Sequence, residues 1–313
     1  MGFAGAMLVA VAIDGVLGWP GRLYAHIGHP VTWLGQLIAT LDKHWNRDED
    51  PPWVRRLAGL SAALFVISLA SALGLLVQVA AGAGWRRMLL IGILAWPFVA
   101  LRSLHEHVVE VAEPLRAGDV AVARQAVAMI VGRDPARLDE AGIARASIES
   151  LAENTSDGVV APIFWGVLFG LPGIFGYKAI NTLDSMIGHR DKRHGAFGWA
   201  AARIDDVANF APARLTALLF ALVCARPADA LACVARDARH HRSINAGWPE
   251  AAVAGGLGVR LCGPRTYHGA LADEPWLNGT ARDPAGDDVA LALKVYLRAM
   301  IGLAGLLAVL ALV

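Results

Sequence analysis

What this chain most lacks is charge. Only 18% of its 313 residues are Asp, Glu, Lys or Arg, while 56% are hydrophobic; a soluble domain carries roughly a quarter charged residues. The shortage is local, since residues 57–85 and 158–177 contain no Asp, Glu, Lys or Arg at all. A helix needs about 20 apolar residues to cross the hydrocarbon core. Both windows reach that length, which excludes an ordinary soluble class. An excess of one charge sign is missing too. A net charge of +1 without any long basic run leaves no field to recruit nucleic acid. Cysteine is scarce: Cys224, Cys233 and Cys262 are odd in number and have no CxxC spacing, so they read as small apolar residues rather than disulfide or zinc partners. There is no GxxxxGK[ST], so any ATP use does not employ a P-loop. Gly255-Gly256-Leu257-Gly258 does not match GxGxxG in a strand–helix context, and Asp157-Gly158 is not followed by the Ala-Arg of CDP-alcohol phosphotransferases. No run alternates with period two for long enough to suggest a barrel.

What is present is a set of six apolar segments, at 1–19, 57–85, 88–101, 158–177, 210–225 and 289–313. They predict an all-α, polytopic integral membrane protein of one domain, residues 1–313. Met1 to Leu17 lacks a basic flank and contains Asp14, which reads as a retained first membrane helix. Gly59, Ala63, Ala70 and Gly74 suit close helix packing in lipid, although an alanine-rich composition gives the same pattern. The polar stretches 20–56, 102–157, 178–209 and 226–288 hold five, six, five and seven basic residues, against two at 86–87. The positive-inside tendency places all four on the cytoplasmic side. That conflicts with full crossings by both 158–177 and 210–225. Pro162, Pro172 and Gly173 interrupt the first, and the second is short, so both are expected to be re-entrant or broken. Four full spans and two re-entrant segments result, with six spans as the upper bound. A topology reporter fused at residue 195 is therefore expected to report a cytoplasmic location; an external signal there would overturn the arrangement. Leu115 to Ala152 is expected to be helical with a break at Gly132-Arg133-Asp134-Pro135, and 226–242 to form an amphipathic helix on the membrane surface.

The densest polar cluster runs from Arg145 to Gly158. Glu149, Glu153 and Asp157 are spaced by four and share one helical stripe, where like charges repel by roughly a few tenths of a kcal/mol per pair. A divalent cation would relieve them; the alternative is a solvated face with Arg145 as salt-bridge partner. A second constellation holds Lys178, Asn181, Asp184, Ser185, His189 and Arg190, then Arg203, Asp205, Asp206, Asn209 and Arg214. Asn154/Asp157 and Asn181/Asp184 are i, i+3 pairs, and Asp205/Asn209 an i, i+4 pair. Carboxylate and amide oxygens at such spacings suit Mg2+, which takes hard oxygen ligands, and the interleaved cations suit phosphate or carboxylate. Asp14 inside a membrane helix is costly unless paired. His29-Pro30 either belongs to a site or merely ends a helix, and His240-His241 reads as a solvated interfacial pair. His105-Glu106-His107 lacks HExxH spacing.

These residues resemble the adenosylcobinamide-phosphate synthase family, CobD/CbiB. The resemblance rests on Glu153-Asn-Thr-Ser-Asp157-Gly-Val-Val-Ala-Pro162, on Tyr177-Lys-Ala-Ile-Asn181-Thr-Leu-Asp184-Ser-Met-Ile-Gly188-His189, and on Ala202-Arg203-Ile-Asp205-Asp206-Val-Ala-Asn209 through Arg214. Asp14, His29-Pro-Val, Leu34-Gly35, Asn245-Ala-Gly-Trp-Pro-Glu250-Ala and Gly258-Val-Arg-Leu fit as well, so it spans about the whole chain; Ile204 stands where Leu is expected. It implies a multi-pass enzyme of the cell (inner or plasma) membrane with a cytoplasmic-facing site. The reaction implied is ATP-dependent amide ligation of (R)-1-aminopropan-2-ol, or its O-phosphate, to the propionate side chain of adenosylcobyric acid, with Mg2+ required. On that reading Glu149, Glu153, Asp157, Asp184, Asp205 and Asp206 hold Mg2+, and Lys178, Arg203 and Arg214 neutralise phosphate charge. His189 is the base, and Asn154, Asn181, Ser185, Asp14 and His29 contact substrate. Trp165, Trp199 and Trp248 are either corrinoid platforms or interfacial anchors, the second being the stronger expectation. The resemblance leaves room for a second cobalamin-pathway protein or a second copy of the chain as partner. Rival classes are a UbiA-like Mg-dependent transferase, which calls for eight or nine spans, and a transporter.

Overall fold

A computed structural model describes the chain apart from residues 1, 22–24, 27, 132–137, 268–269, 273 and 313. Its helices begin with α1 (Ala4–Leu17), α2 (Pro30–Trp45), α3 (Pro52–Ala80), α4 (Gly84–Ala95), α5 (Leu101–Arg116) and α6 (Val120–Val127). Next come α7 (Glu140–Thr155), a π-helical turn at Ser156–Val160, α8 (Ala161–Phe169), α9 (Leu171–Ile187), α10 (His194–Phe197) and α11 (Trp199–Ala208). The chain continues with α12 (Phe210–Val223), α13 (Pro227–Asp237) and α14 (Gly247–Leu257). Four strands of two or three residues follow, β1 (Leu261–Cys262), β2 (Arg265–Tyr267), β3 (Ala270–Ala272) and β4 (Trp276–Leu277), before the final α15 (Gly286–Leu312). The strands pair antiparallel as β1–β4 and β2–β3. They are too short to leave a period-two signal in the sequence.

The protein is an all-α polytopic membrane protein. Among the described residues, three stretches are long and apolar enough to cross a membrane, Pro52–Ala80, Gly84–Arg116 and Gly286–Leu312; the helices on either side of Asn209 add a fourth if taken as one broken span. The first segment differs from expectation. Its 14 residues reach only about 21 Å at 1.5 Å per residue, short of a full crossing, because Gly18 turns to φ +57 and Pro20 follows. The 158–177 segment is broken as expected, at Gly170, whose φ of +72 ends α8 and starts α9. The proposed Leu115–Ala152 helix divides earlier than expected. Gly118 adopts φ +80, and Asp119 restarts the chain as the cap of α6, accepting from Val122 N at 3.1 Å. The predicted break at Gly132–Pro135 lies outside the described residues.

The chain divides into two compact units, one formed by residues 1–100, 161–209 and 306–313, the other by 101–160 and 210–305. Neither is a contiguous segment, which is why no linker is visible in the sequence. In the first unit α9 packs along α3, with α2, α10 and α11 completing the layer, and α1 pairs with α4. One stripe of α3, Gly59, Ala63, Val66, Ala70 and Gly74, is buried, while Leu64, Leu69, Leu73 and Leu76 on other faces are about half exposed or more, as a lipid-facing surface would be. The stripe is small because backbone comes close: a Cβ on Gly59 would lie 1.8 Å from the Phe197 carbonyl oxygen, and one on Gly74 would lie 2.7 Å from that of Leu171. Small-residue packing is thus the operative reading of the pattern.

The helix break at Gly170 frees the backbone amide of buried Leu171. Buried Gln78 of α3 meets the need: its Oε1 accepts from Leu171 N at 2.8 Å and its Nε2 donates to Phe169 O at 3.4 Å. A buried donor left unsatisfied costs about 1–3 kcal/mol. Gln78→Leu is therefore expected to lower the thermal unfolding midpoint in detergent by several degrees, with Gln78→Glu less harmful because it keeps the accepting oxygen. An unchanged midpoint in Gln78→Leu would show that the break is held some other way.

In the second unit α14 is the hub, buried by α12, α13 and α7. Helix α13 is amphipathic as expected, yet its Ala230, Cys233 and Asp237 face is buried against α14 rather than laid on a membrane surface. Gly255 and Gly256 explain this contact, since a Cβ on either would come within 3 Å of α13 or of Cys224. Arg145 also departs from its expected role. It pairs with Asp283, which binds Arg260 at 2.6 Å, and both guanidinium groups lie over the Trp276 ring at 4.7 and 4.4 Å. The hydrogen bond from Arg260, followed by that from Arg145, holds the Asp283 carboxyl down at about 2.

Candidate active site

Helix α9 presents Lys178, Asn181, Asp184 and Ser185 along one side, α11 presents Arg203, Asp205 and Asp206, and His189 begins the loop between them. Asp184 is the centre of this group. Burial raises its carboxyl above the ordinary range, the nearby Asp206 raises it further, and His189 pulls it back. The packing of α9 and α11 thus brings Asp184, Asp206 and His189 together. Asp184 also lies over Gly188, where a Cβ would fall 2.0 Å from its Oδ1; only glycine leaves the carboxylate its place. Arg203 Nη1 donates to Asp206 Oδ2 at 2.8 Å, so one cation already tempers this pair. Asp205 is held from the other direction: Tyr177 Oη donates to Asn209 Oδ1 at 2.8 Å, and Asn209 Nδ2 donates to Asp205 Oδ2 at 3.0 Å. Tyr177 and Asn209 are both buried. They stand in the motifs but act as positioners, which residue spacing does not announce.

The His189 loop is tied down at its far end. Arg193 clasps Asp42 through Nε and Nη2 at 3.1 and 2.9 Å, Asn46 and Arg55 donate to the Arg193 carbonyl, and Asp191 caps α10 through His194 N at 2.7 Å. The remaining expected residues of this unit fall around the centre. His29 starts α2 rather than ending a helix, its Nδ1 accepting from Val31 N at 3.2 Å. Burial, then the Lys178 charge, pushes His29 down, with the Pro97 carbonyl opposing, so Lys178 faces His29. Ser185 Oγ is turned back to the Asn181 carbonyl at 2.8 Å. Asp14 is buried in α1. Next to Arg203 opens an apolar cleft of about 550 Å³ lined by Leu60, Trp165, Ile180, Trp199 and Val207. Trp165 Nε1 donates to the Ala208 carbonyl at 3.1 Å, so this ring is a fixed wall of the cleft.

The other expected residues belong to the second unit. Glu149 is buried, its Oε1 accepting from Cys262 N at 2.7 Å, which separates it in environment from exposed Glu153 and Asn154 and half-buried Asp157. Asn154 Nδ2 donates to Ser150 O at 2.8 Å. Ser156 and Asp157 lie in the π-helical turn, and buried Ser156 Oγ makes no hydrogen bond among the described residues. Such turns concentrate at functional positions because they re-aim side chains. Arg214 lies over Phe210 at 3.7 Å and Trp248 at 4.3 Å and donates to Asn245 Oδ1 at 2.8 Å and to the Phe210 and Ile244 carbonyls. Trp248 is thereby a stacking partner of Arg214. The six acids expected to form one metal set fall three in each unit.

A family model described as CobD/Cbib protein matches residues 7–296. The chain is 62% identical over 313 residues to the cobalamin biosynthesis protein CobD of Rhodobacter capsulatus, covering 99% of each chain. It is 44% identical to the protein of that name from Sinorhizobium fredii, over 98% of this chain and 96% of the relative, and 44% identical to that from Brucella suis, over 95% and 94%. No solved structure matches.

Proposed function

The chain belongs to the CobD/CbiB family of cobalamin biosynthesis, and on that premise we propose that it is the amide-forming synthase of the corrinoid side chain. Its substrates would be adenosylcobyric acid, ATP and (R)-1-aminopropan-2-ol or its O-phosphate. The observation that carries this reading is the grouping of Asp184 and Asp206 with His189 and Arg203 beside an apolar cleft.

A carboxylate does not react with an amine until it is activated. The propionate oxygen attacks the terminal phosphorus of ATP, ADP leaves, and the amine then displaces phosphate from the acyl carbon. Both steps need positioning and charge neutralisation more than covalent help. The half-buried carboxylates of Asp184 and Asp206 are hard oxygen donors that repel each other, so the site fits Mg2+. Asp184, Asp206 and Asp205 would hold it. Bound there, Mg2+ would supply charge stabilisation for the polyphosphate. Arg203, beside Asp206, would face phosphate oxygens, with Lys178 as a further cation. His189 is suited to take the proton of the attacking ammonium. The cleft walled by Trp165 and Trp199 offers a surface for the corrin macrocycle. An inner-membrane enzyme with its site on the cytoplasmic side accords with the basic residues in the polar stretches.

The test is mass spectrometry of products after incubating purified, detergent-solubilised protein with adenosylcobyric acid, ATP, Mg2+ and either amine. A new amide with one ATP consumed per product is expected, and comparing the amines identifies the true one. Folded protein that forms no amide with either, even after addition of membrane extract, would overturn the reading. A UbiA-like transferase is disfavoured by the three or four candidate spans among the described residues. Substrate-dependent ATP hydrolysis would further separate a ligase from that class and from a transporter.

A further inference from the structure

In the second unit, the turn after Ala238–His240, the Asn245–Ala251 motif and β1 bring together side chains that the proposed ligation does not use. Among the described residues, one atom each from His241, Glu250 and Cys262 lies within 4.8 Å of the others. They come from three places in the chain: the turn after Ala238–His240, helix α14, and strand β1. We propose that this trio is a site for a thiolate-binding divalent cation of the zinc type, clipping β1 and the 238–241 turn onto α14, and that it is independent of the synthase reading.

Donor chemistry decides the class of ion. A mixed S, N and O set suits Zn2+, whereas Mg2+ takes oxygen alone. Cys262 Sγ lies 3.0 Å from Glu250 Oε2, and His241 Nε2 lies 3.7 Å from the same oxygen. The carboxylate is thus shared between thiol and imidazole. A Cys–His nucleophile would instead place the imidazole between the other two. Cys262 and Glu250 are 1% and 3% exposed, which suits a closed structural site and denies a substrate access. Further contacts hold the three side chains in place. His241 Nδ1 lies 3.2 Å from the Ser243 carbonyl and 3.0 Å from Ser243 N. Ser243 N donates to Nδ1, which holds the ring with Nε2 turned toward Glu250 Oε2. Glu149 holds Cys262 through its amide. Cys262 itself sits at φ +61, a left-handed conformation that a non-glycine residue rarely adopts without a compensating contact. Gly247 lets His241 approach, since a Cβ there would fall 2.4 Å from the histidine Cβ. On binding, the Cys262 thiol loses its proton to solvent as the sulfur–metal bond forms, with no redox change. Another thiol packed against α14, Cys233, is different: burial first, then Asp237, pushes it up to about 12, so it stays protonated.

The test is titration of the metal-stripped, folded wild-type chain with Co2+ alone. The expected result is uptake of about one equivalent with a sulfur-to-cobalt charge-transfer band in the near ultraviolet. Excess Zn2+ should displace the band and excess Mg2+ should not. Cys262→Ser should abolish it, Cys233→Ser should leave it, and His241→Gln should weaken Co2+ affinity by about tenfold or more. A folded wild type showing no such band would overturn the proposal, as would a band that survives in Cys262→Ser. If Cys262→Ser does not fold, the wild-type titration and Cys233→Ser still decide.

Discussion

Replacing Asp184 by Asn is expected to lower turnover by about 10²–10³-fold, the range for removing one preorganised electrostatic group, while making the metal-free protein more resistant to heat. The two effects have one cause. Burial and the neighbouring Asp206 both disfavour the ionised form of Asp184, so its charge is held against the preference of the fold. A carboxyl whose folded value is raised binds its proton more tightly in the folded than in the unfolded chain. Its contribution is fully present below the ordinary value of 3.8 and is lost as pH rises through the raised one. At neutral pH the ionised Asp184 therefore destabilises the metal-free fold, and an uncharged amide of the same shape relieves it. Mg2+ should raise the unfolding midpoint of the wild type and have much less effect on Asp184→Asn. The measurements are thermal unfolding with and without Mg2+, beside amide formation at saturating substrate. An Asp184→Asn protein that is less stable and equally active would assign this residue to the scaffold.

His189→Ala is expected to lower turnover at pH 7 by about 10²–10⁴-fold, the usual contribution of a positioned base, with little change in the unfolding midpoint because the side chain is exposed. Its loop is anchored by Asp42, Asn46, Arg55 and Asp191 through contacts that do not involve residue 189. The deficit should narrow with rising pH, as the amine substrate loses its own proton and no longer needs a base. A pH profile of turnover distinguishes this from a structural role, which would give a deficit constant with pH. Wild-type turnover in His189→Ala at pH 7 would remove His189 from the mechanism.

Much of this was legible in the chain because membrane physics writes in long words. A run of about 20 uncharged residues has few meanings, and so the class and the approximate segments at 57–85 and 289–313 could be read directly. The break within 158–177 was legible because proline and glycine mark it. The acids Asp184 and Asp206 were visible as candidates because carboxylates beside apolar segments are costly without a purpose. Helix length was less legible. The first segment stops at Gly18 and Leu115–Ala152 divides at Gly118, both by single glycines whose left-handed conformation no periodicity records.

The sequence alone determined that this protein lies in a membrane, that it is helical, and which polar residues flank its apolar segments; these depend on local composition. Tertiary structure decided which of those residues act on one another. It drew Asp184, Asp206 and His189 together, gave Tyr177 and Asn209 the task of fixing Asp205, turned Arg145 toward Asp283, and brought Cys262 to Glu250 and His241. These pairings join residues from 4 positions apart, as in Asp205 and Asn209, to 138 apart, as in Arg145 and Asp283. The short separations repeat with the helical turn and can be guessed from spacing. The long ones arise only when helices pack, and packing is set by close approaches such as that of Gly59 to Phe197, which a linear chain does not display.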